Sequence, residues 1–511
     1  MKQECNGESA QLDTTGCLTR RNVLEYAGAA IAIAAGSRSS GALGAETRPL
    51  QAPLGAASSV SPVMDKLSAY MSEAAARALP DDVVEKSKQH VLDTLAAIIS
   101  GSELPPGRAA LQFFREYGGP AVATIVTSGS LSGPIEAAFA NGMLAHADET
   151  DDSHSPSQSH PGCAVIPAAL AAGERFAING AHFLRAVALG YDIGPRVTMT
   201  LGGQRFEAQS HWSTHSIAPL FGASAAAACA AGLNARQMRW MLGYSAHQSS
   251  GLGAWNRDIE HVQKAFHFGG MTARNGVTSA LLVHAGWTGV DDIFSGRDNF
   301  FAAYNSQADP AGLIDKLGER YEVLRTNIKK WPVGSPIQAA LDALEILRAQ
   351  RPFEAAQVRN VQVRLATAEA AIVDNREIPD ICLQHIIAIA LLDKRVTFAS
   401  VHENDRLKDP ATLSARAKVE LIPDEDLQRL MPLRVAIVEV TLADGTHLSR
   451  RVDDVRGTPA NPMTRAEIVA KATDLIAPIL GAAKSSNLIE RVLQLERSSD
   501  IRELRPLLQR G

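Results

Sequence analysis

Aromatic residues make up only 5% of this 511-residue chain, and cysteine occurs five times. Excess charge of one sign is absent too: 50 Lys and Arg stand against 55 Asp and Glu, a formal charge of −5. A balanced chain lacks the basic stripe with which proteins hold nucleic acid, so no nucleic-acid partner is expected. No apolar run approaches the ~18–20 residues of a spanning helix, which argues against membrane insertion. Cys163, Cys229 and Cys382 are odd in number and widely spaced, and no C-x-x-C pair occurs. That excludes a disulfide framework and the usual zinc or iron–sulfur ligand sets. G-x-G-x-x-G after a strand, a Walker loop, a G-x-S-x-G elbow and H-E-x-x-H are missing as well, against nicotinamide enzymes, nucleotidases, serine esterases and zincins.

What is present reads as a soluble multidomain protein. An apolar fraction of 46% is that of a globular chain, and at roughly 100–200 residues per domain the length implies two or more. The first 45 residues differ from the rest. Arg20 and Arg21 precede a short Ala- and Ile-rich run, Tyr26 to Ala35, then small residues to Ala45. This pattern predicts a twin-arginine export signal over 1–45 and a linker over 46–61, hence a periplasmic protein, or a cytoplasmic one if the signal does not operate. Cys5 and Cys17 would leave with the signal, and the reduced body suits export after folding.

From Pro62 to Leu324 the periodicity predicts helix after helix. Asp81 and Asp82 suit a helix start, and further helices are expected over 134–147, 163–176, 181–200, 216–231, 235–248 and 262–285. Beyond Arg325 the pattern changes. Residues 358–373 and 433–452 alternate like strands, Ala443-Asp444-Gly445-Thr446 reads as a hairpin turn, and an apolar helix is expected near 381–392. Thr464 and Glu467 form a capping-box pattern. The expected fold is mainly α with an α+β second domain: helical segments 62–324 and 456–511, interrupted by an α+β lid at 325–455.

The densest polar cluster runs from His146 to His160, with three His and four carboxylates in fifteen residues. Two chemistries fit it: a divalent-metal site, or proton transfer by a loop histidine that carboxylates orient. Lys264 and His267 share a helix face at i, i+3, and Lys329 and Lys330 stand at the domain junction with Gln338 nearby. Lysines converging with histidines favour an anionic, carboxylate-bearing substrate over a metal, so no metal is expected.

Several motifs together resemble the MmgE/PrpD family, which includes 2-methylcitrate dehydratase, cis-aconitate decarboxylase and iminodisuccinate epimerase. They are Leu92-Asp93-Thr94, Asp151-Asp152-Ser153-His154 with His160-Pro161-Gly162, Lys264-Ala265-Phe266-His267 with Arg274-Asn275-Gly276, Lys329 to Gly334, and Arg456 to Met463. The resemblance implies a helical domain with an α+β lid, a homodimer and a cofactor-free active site in the cleft. It carries the family's loop histidine onto His160, its active-site lysine onto Lys264, a motif lysine onto Lys329 and a threonine onto Ser153. His385 falls where the decarboxylase branch has a tyrosine, and Glu149 where that branch has an aspartate. The histidine before the family's Phe-Gly-Ala helix is Ser213 here, flanked by His211 and His215.

The resemblance implies carbanion chemistry beside a carboxylate. Lys264 and Lys329 are expected to bind substrate carboxylates, and His160, oriented by Asp152, to be the principal acid–base group beside Ser153. One of His211, His215 or His267 would be the second. Glu149, His154, Lys330, Gln338 and His385 complete the expected substrate-binding set. The first expectation is a hydro-lyase acting on a hydroxylated di- or tricarboxylic acid. A decarboxylase or epimerase of the same family is the alternative, and a non-catalytic periplasmic carboxylate-binding protein the remote one.

Overall fold

Alanine and glycine let the helices of the larger domain approach one another closely. In the computed structural model, which describes residues 60–510, the Ala-rich helix Thr214–Ala230 lies buried along almost its whole length. The helices Gly162–Phe176, Gly180–Leu201 and Met271–His284 pack around it. A second close crossing matters for the site. A Cβ on Gly142 would lie 2.4 Å from the Gly269 carbonyl oxygen, and one on Gly269 would lie 2.0 Å from that of Gly142. Only glycine permits that crossing. The expected export signal, 1–45, and residues 46–59 of the linker lie outside the described residues.

Two large apolar cores divide the chain, with a third small cluster of Ala366, Leu427 and Val435 in the lid. One gathers residues from Met64 to Ile328 and again from Met463 to Leu508; the other lies wholly between Val333 and Val455. The returning C-terminal segment begins with the Thr464–Glu467 capping box, formed in both directions, and its helix Arg465–Leu480 packs on the helix Asp81–Gly101. Lys471 there donates to Asp93 Oδ1 at 2.6 Å and to the Thr150 carbonyl at 3.0 Å.

A short hairpin, β1 (Ala123–Thr124) and β2 (Leu131–Ser132), sits in the helical domain. The lid holds a four-stranded sheet of β3 (Val358–Ala366), β4 (Val419–Asp424), β5 (Ala436–Leu442) and β6 (His447–Val452), in the order β4-β3-β5-β6. β3 runs parallel to β4 and antiparallel to β5. The β5–β6 turn is the one read at Asp444-Gly445, with Gly445 at φ +85°. Two differences from the sequence reading stand out. Residues 367–373 form a helix, not a continued strand: β4 offers no partner beyond Asp424, opposite Ala366, and the alanines and Glu369 favour helix. The strand β4 went unanticipated, since Pro423 interrupts its pattern and suits only a sheet edge. Among the described residues no helix is long and apolar enough to cross a membrane.

Candidate active site

The polar loop follows the helix Pro134–Ala145, and neighbouring aspartates turn it in opposite directions. Asp148 folds the loop on itself, accepting from the Thr150 amide at 2.9 Å and hydroxyl at 2.7 Å. Asp152 points into the helical core, where it accepts from the Gly162 amide at 3.0 Å and the Tyr191 hydroxyl at 2.6 Å. His90 Nδ1 also lies 2.9 Å from it. Asp151 faces the other way. Its Oδ1 meets His160 Nδ1 at 3.2 Å and its Oδ2 meets His146 Nδ1 at 3.0 Å. The partner that orients His160 is therefore Asp151 and not Asp152, whose oxygens are committed to the core.

Opposite the loop, a π-helical turn, Phe266–Gly270, sits between the turn Val262–Ala265 and the helix Met271–His284. Its Phe268 ring stacks between two imidazoles, His146 at 4.4 Å and His215 at 4.5 Å. Lys264 forms an ion pair with Glu149 and lies 5.1 Å from the centre of the Trp255 ring. Lys329 stands behind the same carboxylate, donating to the Glu149 carbonyl at 2.7 Å, with Asp151 Oδ1 3.7 Å away. The lid touches the loop as well: the Glu149 amide donates to Asp380 at 3.1 Å, and His402 Nε2 lies 3.4 Å from Asp148.

These groups surround a cavity of about 400 Å³ between body and lid. Glu149, His160, Glu207, His215, His261, Lys264 and Phe268 form the body side, with Trp255 and Asn256 at its border. Arg376, Ile378, Ile381 and Arg434 face them from the lid. Burial alone would raise the Glu149 carboxyl, yet Lys264 and Lys329 hold it well below the usual carboxylate range. Asp151 is likewise buried and likewise held low, by His146, His160 and Lys329. Burial pushes the His160, His215 and His261 imidazoles down, toward the neutral base. It pushes Glu207 up to about 7 and Asp380 up to about 6.

Of the expected residues, the structure brings His160, His215, Glu149 and Lys264 to the cavity. The others are engaged elsewhere. His211 closes a helix at φ +64° on the exposed surface. His267 is buried with its Nε2 unpartnered, close against Gly251, and does not reach the wall. Ser153 is held by a backbone bridge to Asn327 on the far side of the loop. His154 bonds Ser157 and Glu322 in the core. Lys330 pairs with Glu345 and covers the Trp331 ring. Gln338 caps the backbone of Trp331 and Val333. His385 is buried inside the lid, and Lys329 reaches Glu149 and Asp151 rather than the open cavity. Cys163 is buried, and burial pushes its thiol well up, so it is no nucleophile. Sequence reading missed His261, Glu207, Asp380, Arg376 and Arg434. None belongs to a motif, and only the folding of distant segments brings them together.

One triad has metal-ligand spacing: ligand atoms of His146, Glu149 and His261 lie within 4.8 Å of one another. A dication there would face the two ammonium groups already paired with Glu149, and their charge opposes it. A second group of such spacing, His146, Asp151 and Cys163, has its carboxylate bonded to two imidazoles.

A helical body and an α+β lid meeting over buried imidazoles and an ammonium define a two-domain protein with a polar cleft at its junction. Residues 65–312 match the MmgE/PrpD N-terminal domain and 331–496 the MmgE/PrpD C-terminal domain, and the chain belongs to the MmgE/PrpD family. It is 26% identical to a cis-aconitate decarboxylase of Aspergillus terreus over 478 residues, 87% of this chain and 96% of that protein. It is also 26% identical to the cis-aconitate decarboxylase-like protein oryM of Aspergillus oryzae, over 87% of this chain and 97% of that one. With the cis-aconitate decarboxylase of Homo sapiens it shares 24% identity, over 84% of this chain and 91% of that protein.

Proposed function

We propose that this protein is a cofactor-independent lyase that acts on a di- or tricarboxylic acid by proton transfer at the carbon beside a carboxylate. The observation that carries this reading is the Asp151–His160 pair opening on the same cavity as Lys264. With its Nδ1–H donated to Asp151, the imidazole presents Nε2 as a free base. Removing a proton beside a carboxylate places a second negative charge next to the first. Lys264, with three donors, can shift part of its bonding from Glu149 to a substrate carboxylate and stabilise that charge. Arg376 on the lid supplies a cation for a further carboxylate, beside Arg434, which is paired with Glu369.

Loss of water from a hydroxylated acid is the favoured reaction. His160, His215 and His261 line one cavity, and elimination of water uses two proton transfers, one at carbon and one at the departing hydroxyl. A second reading, loss of CO2 from an unsaturated acid, is favoured by the names of the similar proteins. Incubation with hydroxylated and unsaturated polycarboxylates, following double-bond absorbance and CO2, tests both. Water loss supports the hydro-lyase, CO2 release the decarboxylase, and tight binding without turnover overturns both for a carboxylate-binding protein. We also propose export through the Arg20-Arg21 signal and a homodimer. Fractionation of an Arg20→Lys, Arg21→Lys variant and sedimentation of the purified protein test these.

A further inference from the structure

The cavity wall carries an imidazole that belongs to no motif. His261 lines the cavity, yet its Nε2 is buried without a partner. Its backbone stands at φ +62°, in the left-handed region, which few residues other than glycine adopt and in which His, Asn and Asp are the common exceptions. Facing it is His146, whose Nε2 is buried and unpartnered too. The two ring centres are 5.2 Å apart, and a ring nitrogen of each lies within 4.8 Å of the other.

The chemistry of His146 fixes what faces it. Its Nδ1–H is donated to Asp151, so its Nε2 is a lone pair that only a donor can satisfy. Among its neighbours with an unpartnered ring nitrogen, His261 is close enough to supply one after a small ring rotation. A His261 that donates Nε2–H to His146 presents Nδ1 to the cavity. Asp151 then orients two imidazoles by the same logic, His160 directly and His261 through His146.

We propose that His261 is the second catalytic residue of the reaction, the acid that protonates the departing group, with His146 as its positioning residue. The inference rests on the lyase reading. In the step, His160 Nε2 takes the proton from carbon, and that electron pair forms the C=C bond. His261 enters the step as the imidazolium, with Nε2–H on His146 and Nδ1–H on the substrate hydroxyl; the C–O bond breaks as Nδ1–H gives its proton to that hydroxyl, and water leaves. His160 ends as imidazolium and His261 as neutral imidazole, and exchange with solvent through the cavity resets both. Burial, and after it Lys264 and His146, disfavour positive charge on the His261 ring, while Glu149 and Asp151 favour it. A substrate carboxylate that pairs with Lys264 brings a negative charge beside the ring and favours its protonated form when the site is occupied.

The test is His261→Asn, which tolerates the left-handed backbone, with His261→Gln as a second variant. We expect kcat to fall about 10²-fold or more with KM little changed. One limb of the pH profile should disappear, and added imidazole should restore part of the rate. In D2O the variant should still exchange the carbon-bound proton of the substrate, through His160, without losing water. Wild-type kcat and pH profile in both variants overturn the inference, as does loss of proton exchange together with elimination in a folded variant. A wild-type protein inert toward the whole panel overturns the lyase reading itself, and the inference with it.

Discussion

The two walls of the cleft are built on different principles. The body wall is buried and cross-braced: Asp151, Glu149, two lysines and several imidazoles hold one another in place before any ligand arrives. The lid wall is half-exposed, and its Arg376 makes only a long contact, 3.5 Å, to the Asn256 carbonyl. Preorganised groups stabilise charge without rearrangement, which suits the reacting carbon. Arg376, loosely held, can adapt to a carboxylate wherever a substrate carries it, whereas Arg434 beside it is paired with the buried Glu369 at 2.6 Å. On the proposed lyase reading, the contrast assigns reaction to the body and selection to the lid.

The sharpest way to break that contrast is His160→Ala. Loss of the Asp151-bound base should lower kcat by about 10²–10⁴-fold with the circular dichroism unchanged; wild-type turnover in a folded variant would remove His160 from the mechanism. Next comes Lys329→Met, which leaves the buried Glu149 and Asp151 short of their shared cation. Stability should fall by about 3–5 kcal/mol, read by denaturant unfolding. Arg376→Ala, on the lid, should raise KM about tenfold and spare kcat, since a hydrogen bond to a charged group contributes about 1.5–3 kcal/mol. An equal loss in kcat would place the lid in the chemistry and erase the contrast.

The smallest effect is electrostatic. Burial raises the Glu207 carboxyl from 4.5 to about 7, although the Thr214 hydroxyl opposes the shift. Between those two values the folded protein binds more protons than the unfolded one, so this group makes stability fall as pH rises from about 4.5 to 7. Glu207→Gln should flatten stability across that window, measured as melting temperature against pH.

Much of this architecture was legible in sequence, because helices repeat every 3.6 residues and the pattern records it. The helices at 134–145, 162–176 and 235–248 fall almost where periodicity puts them. The polar loop was legible too, as a density of charge. Which of two adjacent aspartates meets His160 was not, since side-chain direction depends on Tyr191 and Gly162, contributed by later helices. Nor was it visible that His154, Lys330 and Gln338 serve the scaffold. Polar residues near a site motif resemble one another in sequence, and only the partner each one finds decides its work. His261 shows the converse, a place on the cavity wall with no pattern around it.

The Lys471 contact sets an order of assembly. Its ammonium clasps both Asp93, in an early helix, and the Thr150 carbonyl of the polar loop, across 378 and 321 positions of chain. A nascent polypeptide that has left the ribosome only through its lid carries every acid–base group named above, but its loop is unclasped and Asp93 unpaired. The loop at the cleft is thus braced only once the last stretch of the chain has been made.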